Sequence, residues 1–302
     1  MAPSATYIAI ILLVIGNFAA SLSDVAVKLL NGEVSTFQYI FIRQLLSALV
    51  IFPLWWKQSQ PQRKMYSPKL NLLRAHLILV GSGCMVVAIT HLTLATANAV
   101  FYAAPLLMLP LAIVLLGEKP TLQRSAATIF GFAGVIVVLR PSEFHWAALF
   151  ALGTTLTLAL FNLSARKLPT QQTVVSTLFW TSVLSLPVSS ILALLYWQPV
   201  SSTHILLILA SAALILTYNG LAVMAYQRSP ASSIAVAENS GLVFVALFGV
   251  MWFDEVPDWL TALGIVMIVL PLMPWKRLFK LTKSDYLLRP NPPSESRKNI
   301  TD

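Results

Sequence analysis

Apolar residues run along this chain in long unbroken stretches, not in the alternation of a half-buried strand or the single stripe of a surface helix. Ten such stretches occupy approximately residues 6–27, 36–56, 72–94, 97–116, 125–139, 146–165, 173–197, 205–226, 232–253 and 259–275. A helix needs about 20 apolar residues to cross the hydrocarbon of a bilayer. Lipid offers no partner to an open backbone amide, so the spanning element must satisfy its own. The pattern therefore predicts an all-α integral membrane protein of ten transmembrane helices, with the short fifth and tenth sitting steeply or at the bundle edge. A lipid-facing barrel is excluded because ten-residue alternation is missing.

Composition agrees with this. Only 10% of the 302 residues are charged while 57% are hydrophobic, against about 25% charged in soluble domains. The first stretch lacks a basic segment before it and meets Asp24 and Lys28 instead of a cleavage site, which predicts a retained first helix. Residues 276–302 turn to Pro, Ser, Lys and Arg and are expected to be a disordered tail. The single cysteine, Cys84, excludes a disulfide framework and a multi-cysteine zinc site, and no metal or cofactor is expected.

Threading ten helices with the N-terminus inside places seventeen of the twenty Lys and Arg residues on one side, with Lys28 and Arg140 opposite and Arg43 within a helix. That bias predicts cytoplasmic termini and accounts for the net charge of +9 without nucleic acid.

The chain also repeats itself. The segment Gly117-Glu118-Lys119-Pro120-Thr121-Leu122 recurs as Asp254-Glu255-Val256-Pro257-Asp258-Trp259, an offset of 137, and Asp24 with Lys28 recurs as Asn162 with Arg166, an offset of 138. Two matches at one period imply two related halves, residues 6–139 and 146–275. Five helices per half is an odd number, so the halves are expected to enter the membrane in opposite senses. Inverted repeats are the architecture in which two halves rock about a midplane site and expose it to each side in turn.

Several of these residues resemble the drug/metabolite transporter superfamily, in its ten-helix branch with two EamA-type repeats. The likeness spans about residues 8–274 and is carried by the Pro105-to-Glu118 stretch, Gly131, Gly134, the Asp254-Glu255 pair and Arg43. The second half departs from the family pattern at Leu242 and Pro271. The resemblance implies a bacterial inner-membrane secondary carrier or exchanger of small metabolites, not an enzyme. The run from Ser23-Asp24 to Lys28, followed by Arg43, is similar to the branch of riboflavin and S-adenosylmethionine uptake carriers, and riboflavin is the expected solute. Export of amino acids or related metabolites is the alternative. The expected partners are the solute, the bilayer and, through an intramembrane acid, protons; the chain acts as a monomer or a homodimer.

Candidate site residues follow from the cost of polar groups in lipid. Glu238 lies well inside an apolar segment and must face the bundle interior, where it binds a proton or a cationic part of the solute, or else pairs statically with Arg43. Arg43 holds its charge and needs a carboxylate, carbonyls or water; it binds an anionic or carbonyl edge, or anchors helix two to Glu238 or Asp24. Asn239 adjoins Glu238, and Asn162 is the repeat equivalent of Asp24. Phe101 and Tyr102 hold the repeat positions of Glu238 and Asn239 and offer a stacking face. Asn17, Asn98 and Asn219 are buried amides suited to solute or to helix contacts, and Phe161, Trp180, Tyr218 and Phe244 lie at pocket depth. Asp24 and Lys28, one turn apart, read as a gate. Glu118 and Glu255 read as structural caps of the helices that follow them, and Pro105 as a kink.

A rival class is an intramembrane hydrolase built on Ser82 with His76 or His91. Those histidines are six and nine residues away, off the serine's helical face. No phosphate-binding loop of an ATP-driven pump is present in the sequence.

Overall fold

All regular structure among the described residues is helical. The computed structural model describes residues 3–117, 119, 121–140, 145–165, 167–169, 171–229, 234, 237 and 239–272. The elements are α1 (Pro3–Leu29), α2 (Thr36–Trp56), the short α3 (Gln60–Arg63), α4 (Pro68–His91), α5 (Leu94–Phe101), α6 (Ala104–Leu116), α7 (Leu122–Leu139), α8 (Ala147–Ala165), α9 (Val174–Leu195), α10 (Ser202–Arg228), α11 (Ser240–Phe253) and α12 (Trp259–Val269), closed by a 3-10 turn at Leu270–Leu272. Seven spans are long and apolar enough to cross a membrane, one of them formed by α5 and α6 together, and three shorter apolar helices accompany them. The fifth and tenth predicted segments are among the shorter three; the ninth is described as a helix from Ser240. The predicted tail lies outside the described residues.

Local chemistry sets the helix ends. Thr93, Thr173, Ser201 and Asp258 each precede a helix and accept the amide of the residue three further on, at 3.1–3.2 Å. Such N-caps satisfy donors that a helix cannot reach itself. α6 and α11 both end on a residue in the left-handed region, Gly117 (φ 66°) and Asp254 (φ 54°), again 137 residues apart. An aspartate tolerates that conformation at a cost that glycine does not meet. Asp254→Gly is therefore expected to stabilise the protein by about 1 kcal/mol, read as a higher midpoint of thermal unfolding in detergent.

The helix that begins at Leu94 is interrupted. α5 ends at Phe101, Tyr102 and Ala103 form a turn, and α6 begins at Ala104 with Pro105 in its first turn, where a proline has no donor to waste. Ala103 (φ −78°, ψ −4°) precedes α6 as Asn239 (φ −79°, ψ −2°) precedes α11, 136 residues later.

Packing crosses between the halves. α1 packs on α10 and α11, α8 on α4, α5 and α6, α2 on α9, and α7 on α12. Exchange each helix for its equivalent at the repeat offset and these pairings map onto one another. Individual hydrogen bonds do the same: Ser23 Oγ donates to the Ser211 carbonyl at 3.1 Å, and Arg74 Nη1 to the Phe161 carbonyl at 2.6 Å, from positions matched by offsets of 138 and 137. Gln38 holds the Gln198 carbonyl at 2.8 Å as Ser176 holds that of Gln62.

The structure buries Arg74 within α4. Its guanidinium lies 3.7 Å over the Phe161 ring and bonds the carbonyl and hydroxyl of the last turn of α8. A cation at a helix C-terminus is favoured by the exposed carbonyls there. The outer surface is apolar, with Val114, Leu194, Ile129 and Val243 more than two-thirds exposed, as lipid-facing residues are.

Candidate functional site

One face of α1 carries four polar residues at spacings of four, three and four: Asn17, Ser21, Asp24 and Lys28. At 100° per residue these stack on a single line along the helix. The opposite contact of α1 is with α10, where Gly16 admits the Tyr218 ring and Ser23 meets Ser211 and, through it, Tyr39 in a buried hydroxyl cluster. The polar line thus faces α5 and α11 while the small residues lock α1 to its neighbour.

Asp24 and Lys28, expected as one pair, turn to different partners. The Asn98 side chain of α5 and the Arg43 guanidinium of α2 both lie within electrostatic reach of the Asp24 carboxylate, while the Asn98 amide donates to the Leu94 carbonyl of its own helix at 3.2 Å. Arg43 Nη1 also donates to Ser82 Oγ of α4 at 3.4 Å. Four helices therefore converge on one acid and one base. In low dielectric an isolated charge is expensive, and opposite charges offset part of that cost.

Lys28 instead forms an ion pair with Glu255, donates to the Leu92 carbonyl at 2.6 Å and lies 5.3 Å from the Phe253 ring centroid. The second Glu255 oxygen accepts the Leu94 amide at 2.8 Å, the first of α5. Glu255 was expected to cap the helix that follows it. It caps α5 in the other half of the chain, because its own α12 is already capped by Asp258. One carboxylate thus ties α1, the 92–94 corner and the end of α11 together. Beside it, Arg140 and Asp258 pair at the rim of a cavity of about 350 Å³, which Thr93, Thr96 and His145 help line.

The remaining candidates divide. Tyr102, in the turn between α5 and α6, lays its hydroxyl on Gly241, where a β-carbon would fall on the oxygen. Phe101 is buried one residue earlier. Pro105 serves the start of α6. Asn239 is a turn residue before α11. Asn162 is exposed on α8 and is not among the residues these contacts bring together. Glu118 and Glu238 lie outside the described residues. Phe161 carries Arg74, Trp180 donates to the Arg63 carbonyl at 3.0 Å, and Phe244 meets Phe18 edge-on at 5.4 Å, so these three have packing partners. Sequence reasoning did not single out Ser21 and did not match Asn98 to Asp24. The four-three-four polar spacing on the first helix was the signal for the former; only the fold supplies the latter.

The hydrolase arrangement is not assembled. His76 Nδ1 contacts the Leu72 carbonyl of its own helix at 2.8 Å, His91 packs on Trp146, and Ser82 faces Arg43. No cluster of three or more His, Cys, Asp or Glu residues suited to a metal occurs among the described residues.

The sequence matches the EamA-like transporter family twice, over residues 7–140 and 145–273. The chain belongs to that family. It is accordingly a multi-pass membrane transporter and not an enzyme. Its relatives include an S-adenosylmethionine uptake transporter of Rickettsia prowazekii, 28% identical over 255 residues that make up 83% of this chain and 86% of that one. The pseudopaline exporter CntI of Pseudomonas aeruginosa is 24% identical, over 90% of this chain and 96% of its own. A riboflavin transporter of Vibrio cholerae is 28% identical over 167 residues, covering 53% of this chain and 56% of that protein. A crystal structure 18% identical in sequence superposes with a TM-score of 0.58, over 94% of this chain and all of that one, and so shares the fold.

Proposed function

We propose that the protein is a secondary transporter of the bacterial inner membrane. It has ten spanning helices in two inverted five-helix halves, at residues 6–139 and 146–275, and both termini in the cytoplasm. The exchange of helix pairings and hydrogen bonds at the repeat offset supports a pseudo-two-fold relation between the halves. The charge bias along the sequence supports the orientation. The solute site lies at Asp24, Arg43, Ser82 and Asn98, beside the interrupted helix α5–α6, and alternates between the two faces.

One observation carries the solute class: an acid and a base lie within electrostatic reach of each other in the same intramembrane cluster. That pair complements a zwitterion, Arg43 taking a carboxylate and Asp24 an ammonium. An amino-acid head joined to a planar group fits both the charges and the aromatic side of the turn at Phe101 and Tyr102. S-Adenosylmethionine has that chemistry, and the uptake transporter of that solute aligns over most of this chain. Glu238, Asn239 and Asn162 remain proposed contributors by sequence position, with protons as the coupling ion. Riboflavin, the solute expected from sequence, stands as a second reading through the relative that aligns over half the chain.

Uptake of labelled S-adenosylmethionine by bacterial cells with and without the protein tests this. Saturable uptake, competed by unlabelled S-adenosylmethionine and not by riboflavin, is expected. Competition by riboflavin alone selects the second reading. Efflux from loaded cells without uptake would overturn both in favour of export.

A further inference from the structure

The interrupted helix and the start of α11 are each held by side-chain hydrogen bonds from the opposite half. Asn17 of α1 donates from Nδ2 to the Ala237 carbonyl at 2.8 Å and contacts Ser240 Oγ at 3.1 Å, on the two sides of the turn at Asn239. Thr155 of α8 donates to the Val100 carbonyl at 2.8 Å, at the end of α5. The donors are 138 residues apart and the acceptors 137, the offsets of the sequence repeat. Where a helix is interrupted inside the bilayer, the carbonyls at the break draw further donors. Here the first helix of each half supplies one to the other half, Thr155 joining the Ala103 amide that reaches the Val100 carbonyl at 3.1 Å.

The two arrangements differ in strength. The single proton of the Thr155 hydroxyl is shared with the Ala151 carbonyl of its own helix, also at 2.8 Å, a local acceptor that takes it up when the crossing one is lost. Asn17 reaches across twice, and Ser21, one turn on, adds a third link to the Gly241 carbonyl at 3.3 Å. The Tyr102 hydroxyl rests on the same Gly241, and the Asn17 side chain borders it, so both interruptions meet at one point. That point lies seven residues below Asp24 on the same face of α1, about 10 Å along the helix.

We infer that Asn17 and Thr155 are positioning residues of transport. They fix the ends of α11 and α5 to the first helix of the opposite half, so that movement of α1, which carries Asp24, is passed to α11. Asn17 is the stronger of the two. The inference rests on the proposed transport function for its kinetic arm and on the structure alone for its exchange arm.

The test compares wild type, Asn17→Ala, Thr155→Val and Thr155→Ser, purified in detergent. In Asn17→Ala, backbone amides of residues 240–245 are expected to exchange hydrogen about tenfold faster, with those of residues 94–101 unchanged. In Thr155→Val the change moves to residues 101–107 and is smaller, and Thr155→Ser restores the wild-type rate. In vesicles, Asn17→Ala is expected to lower the maximal rate of S-adenosylmethionine uptake about tenfold while the half-saturating concentration stays within about twofold. If Asn17→Ala does not insert, Ser240→Ala removes one of its two contacts and is expected to give a smaller acceleration in the same segment. Unchanged exchange in residues 240–245, or acceleration spread evenly over the chain, overturns the inference. Absence of wild-type uptake overturns the proposed solute instead and leaves the exchange measurement to decide this one.

Discussion

Replacing Asp24 by asparagine is expected to reduce transport at least about a hundredfold while the protein still reaches the membrane. The substitution keeps the size of the side chain and one oxygen within reach of Asn98. It removes the only charge shown to answer Arg43 among the described residues. A solute ammonium then loses the acid proposed for it, and Arg43 loses the counter-charge shown among the described residues, a costly state in low dielectric. A second substitution separates solute contact from scaffolding. If the pair serves only to hold α1 against α2, Asp24→Asn combined with Arg43→Gln removes both charges and recovers transport. If the pair binds solute, the double variant regains stability and remains inactive, a coupling measurable as a double-mutant cycle on unfolding and on uptake in parallel.

The second large effect is expected at Glu255. Its carboxylate is 15% exposed, pairs with Lys28 and accepts the first amide of α5, so it links the two halves at one end of the bundle, the link proposed to close that end. Glu255→Gln leaves Lys28 inside without an acid, and the open form, in which water reaches Lys28, gains by about 3 kcal/mol relative to the closed one. That corresponds to a population shift of about a hundredfold. Net uptake is expected to collapse, and a thiol placed at Leu92 to react faster with an impermeant reagent. Exchanging the charges, Lys28→Glu with Glu255→Lys, restores the attraction and no acceptor for the Leu94 amide, so rescue is expected to be partial. Full rescue would show that the cap on α5 contributes nothing; no rescue would remove the ion pair from the closure.

Much of the fold was legible because lipid imposes one solution on the backbone. Unbroken apolar runs gave the helices, and the repeated Glu118 and Glu255 segments gave the period that later appears in the left-handed ends at Gly117 and Asp254. The site was less legible. A buried charge announces itself in sequence, as Asp24, Lys28 and Arg43 did, but its partner is chosen in three dimensions. Spacing along α1 suggested Asp24 with Lys28; packing set Lys28 against Glu255, 227 residues on, and Asp24 against Asn98. Arg74 shows the same limit: nothing in the sequence announces that the end of α8 provides the carbonyls and the ring that bury it.

The most direct test of alternation between the two faces is the sided reactivity of a thiol at the site. In a Cys84→Ala background, Ser82→Cys places a single cysteine beside Arg43. Right-side-out and inverted vesicles are treated with a membrane-impermeant thiol reagent, with and without saturating S-adenosylmethionine. The thiol is expected to react from both sides, at rates that solute shifts in opposite directions. Reaction from one side alone, at a rate indifferent to solute, would contradict a shared site that opens to each face in turn.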